Sequence, residues 1–148
     1  MGLVGQLLGH ERAGIGLFVD GPNVFRSEFD VDLDDLRSIA TEYGNVRTAR
    51  LYLDEHATPG LIQAGEAHGF EVVTTSGDVD VKLAVDATRA VNESHIETVV
   101  IASRDIDFKP VLEAAAEAGC QTVAVAPGEY GRSDALVATA HESHTLGD

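Results

Sequence analysis

The sequence predicts an α/β domain built on a parallel sheet. Three observations point there: apolar runs of strand length recur along the chain, amphipathic helical stretches separate them, and glycines and capping residues mark the changeovers. Gly16-Leu17-Phe18-Val19 has no polar alternation, as a strand covered on both faces requires, and it stops abruptly at Asp20-Gly21-Pro22-Asn23. Thr98-Val99-Val100-Ile101-Ala102 repeats the pattern and stops at Ser103.

The remaining elements follow in order. Asp32 is placed to cap a helix running to about Tyr43, with Leu33, Leu36, Ile39 and Ala40 on one face and Gly44 after it. Val46 to Leu53 alternates imperfectly and reads as a second strand. Thr58-Pro59 is a cap followed by a first-turn proline, opening a helix that reaches about His68 and stops at Gly69. Phe70 to Thr75 is the third strand, and Ser76-Gly77-Asp78 a turn. A helix from about Val79 to Asn92 carries Asp80, Ala84, Ala87 and Val91 on the stripe expected to face the sheet. Its opposite stripe holds Lys82, Asp86, Arg89 and Glu93, which reads as a solvated face with charge pairs. After the Thr98 strand, one of Asp105 and Asp107 can cap a helix from about Phe108 to Ala118 that stops at Gly119. Thr122 to Ala126 is the fifth strand, and Ser133 can cap a last helix through Ala140. His141 and His144 lie in a polar tail and are expected to be solvated rather than to hold a metal.

With 148 residues the chain is expected to form one domain over 15–148, preceded by an arm or short helix over 1–14. In that arm Leu3, Val4, Leu7 and Leu8 are interrupted by Gly2, Gly5 and Gly9, with no basic segment before them. Neither a signal peptide nor a membrane span is expected there, and the expected location is the cytoplasm. The same apolar arm offers a surface through which two copies would pair. The single cysteine, Cys120, excludes an internal disulfide and any multi-cysteine metal site, and reads as a small buried hydrophobe.

Aspartate and glutamate number 25 against 10 lysines and arginines, a formal net charge of −15. Only Lys82 and Lys109 are lysines. This acid-rich, lysine-poor composition resembles that of proteins from organisms that accumulate intracellular salt, which screens self-repulsion. It also argues against tight, non-specific nucleic-acid binding, which depends on cations neutralising phosphates.

In a parallel sheet that winds outward from the Asp20 strand and then returns to its other side, the strand ending at Ser103 lies beside it. Asp20, Asp105 and Asp107 then share the crevice at the carboxyl edge, and Asp80 reaches it from a helix start. Each acid has a plainer use, Asp20 as a turn former and Asp80 as a favourable charge at a helix start. Several carboxylates together repel one another and are sustained by a hard cation; oxygen-only ligation suits Mg²⁺ or Mn²⁺.

Phe18-Val19-Asp20-Gly21-Pro22-Asn23, Val79-Asp80-Val81 with Leu83-Ala84-Val85-Asp86, and Ser103-Arg104-Asp105-Ile106-Asp107-Phe108 together resemble the NYN family, LabA-like branch, of the PIN-like ribonuclease superfamily. The match is ordered from about residue 15 to residue 130. The resemblance implies a three-layer α/β/α Rossmann-like (PIN-like) sandwich whose central parallel sheet has about five strands in the order 3-2-1-4-5. It implies metal-dependent RNA cleavage, with Asp20, Asp80, Asp105 and Asp107 as catalytic and metal-holding acids, and it raises Asp86, a recurrent family acid, to a secondary candidate. Asn23 and Ser103 match the family's amide and hydroxyl positions. Family members often carry a lysine shortly before the helix acid; here Ser76-Gly77-Asp78 stands in that stretch.

The leading expectation is an endoribonuclease acting on single-stranded or unpaired RNA. Asn23 and Ser103 would position water or phosphate, and Arg26, Arg104, Lys109 and Arg132 would contact phosphates. The alternative is a non-catalytic NYN-like module binding RNA or protein, its activity weakened by the missing lysine. A phosphatase or receiver built on Asp-x-Asp fits less well, because Ser103 and Arg104 separate Asp105 from its strand.

Overall fold

The computed structural model describes residues 14–25, 31–93, 95–129 and 133–146. Its centre is strand β1 (Gly14–Asp20), buried along its whole length. The strand pairs in parallel with β2 (Asn45–Asp54) on one side and β4 (Thr98–Ala102) on the other. Beyond these lie β3 (Glu71–Thr75), β5 (Gln121–Ala126) and β6 (Glu142–Thr145), giving one parallel sheet of order β3-β2-β1-β4-β5-β6. The order of the first five strands matches the expectation. The sixth is an addition.

Strand periodicity divides the β1 side chains between two cores. Ile15, Leu17 and Val19 join Leu36, Leu51 and Val100 on one face. Phe18 joins Leu83, Ile101 and Leu112 on the other. Helices α2 (Leu33–Thr41) and α3 (Pro59–Ala67) cover the first face; α4 (Val79–Ala90), α5 (Lys109–Glu117) and α6 (Asp134–Thr139) cover the second. The first, α1 (Gly21–Val24), is a single turn directly after β1. The result is a three-layer α/β/α sandwich.

The caps act as their residue types dictate. Asp32 accepts from Asp34 N, Thr58 from Leu61 N and Ser133 from Leu136 N. Gly69 and Gly119, which end α3 and α5, have φ of +86° and +94°, the left-handed region that a Cβ disfavours.

Two expectations are corrected. The segment after α6 is not a free polar tail but the edge strand β6. Its Glu142 accepts from Gln121 Nε2 at 2.8 Å and from the Tyr43 hydroxyl at 3.1 Å. The histidines there are hydrogen-bonded: exposed His141 accepts through Nδ1 from Thr122 N at 2.9 Å, and half-buried His144 has its Nε2 2.6 Å from the Tyr43 hydroxyl. On α4, the residues turned inward are Leu83, Asp86, Ala87 and Ala90, so Asp86 belongs to the buried face and not to the solvated stripe. Burial of that carboxylate is tolerable because Tyr52 donates to it at 2.8 Å while Lys82 Nζ and Arg50 lie at 3.2 and 3.4 Å. Burial and the Asp86 carboxylate together push the Tyr52 hydroxyl above its usual range, keeping it a donor. Cys120 is buried, as expected. Among the described residues no helix is long and apolar enough to cross a membrane. The 1–14 arm lies outside the described residues apart from Gly14, which begins β1.

Candidate functional site

Asp20 ends β1, opposite Tyr52 of β2 and one residue past the Val19–Ala102 pairing with β4. The chain leaves the sheet there in α1, whose Pro22 needs no hydrogen-bond donor in a first turn. A Cβ at Gly21 would stand 2.4 Å from the Tyr52 carbonyl oxygen, so glycine is required by the closeness of β2. The turn presents Asn23, whose Oδ1 accepts from Arg104 N at 3.0 Å and ties the end of β1 to the loop after β4.

Ser103 continues that connection. Its hydroxyl donates to Asp20 Oδ2 at 3.1 Å and accepts from Asp105 N at 3.0 Å. Asp105 in turn accepts from Asp107 N at 2.9 Å, capping the 3-10 turn Ile106–Phe108, which buried Phe108 anchors in the core. Asp80 sits in the first turn of α4, where its carboxylate accepts from Val81 N at 3.0 Å. One carboxylate oxygen from each of Asp80, Asp105 and Asp107 lies within 4.8 Å of the others.

Asp20 is not part of that close group. It lies deeper, 4% exposed, at the base of a cleft of about 380 Å³ that it lines together with Asn23, Asp54, Asp78, Asp80 and Asp105. Burial pushes its carboxyl up to about 6; the Asp105 and Asp80 charges add to the rise, while the Ser103 hydroxyl and the Asn23 backbone N–H oppose it. Three oxygen donors at that spacing, with no sulfur or nitrogen among them, fit a hard divalent cation. Within this arrangement the raised carboxyl of Asp20 sits beside the group formed by Asp80, Asp105 and Asp107.

Asp54 and Asp78 are additions to the expected set. Asp54 ends β2 at the same sheet edge as Asp20, and the rule that drew attention to Asp20 applies to it equally. Asp78 occupies the N-cap position of α4, in the stretch where a lysine was looked for. The expected basic contacts are not gathered here. Neither Arg104, half-buried, nor Lys109, exposed at the start of α5, is among the residues lining the cleft. Arg26 and Arg132 lie outside the described residues. Asp86 is committed to Tyr52, Arg50 and Lys82 on the inner side of α4, away from the cleft lining.

A parallel α/β/α sandwich with carboxylates gathered at the carboxyl edge of its central strands is the architecture of PIN-like nucleases. The family profile of the NYN domain matches residues 14–147, and the chain belongs to this family, a PIN-like ribonuclease family. It is 42% identical over 122 residues to an uncharacterised protein of Methanocaldococcus jannaschii. The match takes in 82% of this chain but 50% of that protein, so the chain spans about half the length of its curated relative. A crystal structure of a protein of unknown function from Vibrio parahaemolyticus superposes with a TM-score of 0.79 at 21% identity, covering 93% of this chain and 94% of that one. At that identity the likeness speaks for the fold.

Proposed function

We propose that the chain is a metal-dependent endoribonuclease that hydrolyses phosphodiester bonds in single-stranded or unpaired RNA. The observation that carries this reading is the approach of Asp80, Asp105 and Asp107 to within 4.8 Å beside the buried Asp20. In this reading Asp80, Asp105 and Asp107 hold Mg²⁺ or Mn²⁺, which when bound would neutralise phosphate charge and make water a better nucleophile. Asp20 takes up a proton from the attacking water, a role suited to a carboxyl pushed up to about 6. Asn23 and Ser103 hold the two loops and Asp20 in register. RNA is the partner, and the cell interior is the expected setting.

A second reading, a non-catalytic module, draws on one feature. The cleft is lined by Asp20, Asp54, Asp78, Asp80 and Asp105, with no lysine or arginine lining it among the described residues, in a chain of net charge −15. A polyanion entering there needs a cation more than in a site with its own lysine.

Cleavage of an unstructured oligoribonucleotide with Mn²⁺, by wild type and by Asp105→Asn, separates the readings. Under the nuclease reading wild type cuts and the variant is at least about 100-fold slower at unchanged fold. Cutting by the variant at the wild-type rate would remove the reading; metal binding without cutting would leave the binding module.

A further inference from the structure

Next to the acid cleft, and sharing Pro22 and Asp54 with it, lies a second cavity of about 190 Å³. Its chemistry differs. Phe25, Leu53 and Leu61 give it apolar walls, while His56, Thr58 and Asp54 supply polar groups. It is smaller than the roughly 300–1,000 Å³ of pockets that enclose whole drug-sized ligands, and so suits one ring system of a longer chain.

We propose that this cavity is a base-binding subsite, receiving a nucleobase of the RNA strand whose phosphate enters the acid cleft, and that it selects guanine over uracil. The proposal rests on the nuclease reading of the neighbouring cleft.

Single-stranded RNA is read by bases that leave the stack, lie against aromatic rings and hydrogen-bond through their edges. Phe25 is packed against the core, so its ring is held in place before any base arrives. The His56 imidazole, 83% exposed, supplies a second ring at the cavity's edge.

The polar groups set the preference. Asp54 Oδ1 accepts from His56 N at 2.9 Å, which orients the carboxylate and leaves further acceptor positions on it. A carboxylate only accepts. Guanine offers two adjacent N–H groups on one edge and matches it; uracil offers one N–H flanked by two carbonyl oxygens, which it repels. Thr58 Oγ1 already accepts from Leu61 N at 3.2 Å, so its own O–H is left to donate to a base carbonyl such as the guanine O6. Because the two cavities share Pro22 and Asp54, a base and a phosphate close to it in the same strand can occupy both at once.

Two measurements on the full chain test this. In the first, single-stranded oligoribonucleotides with guanine, uracil or an abasic site at one varied position are cleaved with Mn²⁺; in the second, calorimetry compares 5′-GMP with 5′-UMP. A bidentate carboxylate contact predicts about a tenfold preference for guanine in both. His56→Ala, at an exposed position, should weaken GMP binding without disturbing the fold. Asp54→Asn should bring the guanine-to-uracil ratio close to one, whatever it does to the overall rate. Cleavage indifferent to the base, with GMP and UMP bound equally, overturns the subsite and leaves the nuclease reading standing. Guanine preference that survives Asp54→Asn also overturns it. No cleavage, but GMP preference abolished by Asp54→Asn, upholds the subsite and removes the nuclease reading. Neither cleavage nor nucleotide binding removes both.

Discussion

Ser103 and Asp20, 83 positions apart in sequence, are joined by a hydroxyl hydrogen bond of 3.1 Å, and the same hydroxyl oxygen receives the Asp105 N–H at 3.0 Å. One side chain thus couples the buried acid of β1 to the loop that carries two of the clustered carboxylates. Ser103→Ala removes both bonds. It should cost about 1–2 kcal/mol in urea unfolding and let the Asp20 carboxyl rise further, since this hydroxyl is the strongest influence holding it down. Carbon-detected NMR titration of the Asp20 carboxyl reads that rise. An Asp20 midpoint unchanged in the variant would mean that the serine only ends the strand.

The raised Asp20 carboxyl makes the metal-free protein sensitive to pH in a definite direction. Its value of about 6 lies above the 3.8 of an exposed aspartate, so between the two the folded state binds more protons than the unfolded state. Stability from this group is therefore present below about pH 4 and is lost as pH rises through 6. Asp20→Asn, which cannot ionise, should be more stable than wild type at pH 8 by about 2–3 kcal/mol, with the difference fading toward pH 4. Urea unfolding of both proteins across this range checks it. A variant that is less stable at pH 8 would mean that Ser103 and the Asn23 N–H more than offset the burial of the charge.

The central strand and the location of Asp20 were legible because both rest on where an apolar run stops, whereas the strand order came with the resemblance to the NYN family. Leu17, Phe18 and Val19 need cover on both faces, and Asp20 ends them. Strand β6 was not legible, since Glu142, Ser143, His144 and Thr145 have no apolar face; they are held by backbone pairing with β5, and Glu142 by polar bonds to Gln121 and Tyr43, that no local pattern foretells. Asp54 was hidden for a different reason. It follows an imperfectly alternating strand and adjoins Glu55, so the last residue of β2 depended on its pairing with β3. Helical periodicity placed Asp86 with the charged residues around it, because periodicity counts polarity and cannot see Tyr52 and Arg50 arriving from another strand.

Asp86 therefore has a structural duty that can be separated from catalysis. Its carboxylate, 6% exposed, collects the Tyr52 hydroxyl, Arg50 and Lys82. Asp86→Ala would leave the buried Tyr52 hydroxyl without its acceptor, take from Lys82 its partner and leave Arg50 paired with Glu71 alone, at a cost of roughly 3 kcal/mol. Arg50 and Lys82 are partly exposed, which keeps the figure at the lower end of that range. Asp86→Asn keeps an acceptor for Tyr52 and should lose about half as much. Denaturant unfolding measures both, and Mn²⁺ affinity should stay within about threefold of wild type in the Asn variant. A large loss of metal affinity at preserved stability would instead make Asp86 part of the site.

Gly21 is the position where fold and site are least separable. It has no positive φ to justify it; its requirement is space. A Cβ there would meet the Leu53 Cδ2 and the Tyr52 carbonyl oxygen, each at 2.4 Å. A leucine methyl can swing aside, but the carbonyl belongs to β2, and moving it disturbs the pairing that sets Asp20 opposite Tyr52. The added methyl in Gly21→Ala must therefore push α1 outward, carrying Asn23 away from the Arg104 N–H it now accepts at 3.0 Å. The expected cost is about 1–3 kcal/mol from overpacking, together with loss of Mn²⁺ binding greater than that seen in Asp86→Asn. Trimming the neighbour supplies the control. Adding Leu53→Ala to Gly21→Ala removes the side-chain clash and leaves the carbonyl clash, so metal affinity should not return; recovery in the double variant would mean that the leucine, not the β2 backbone, makes glycine necessary.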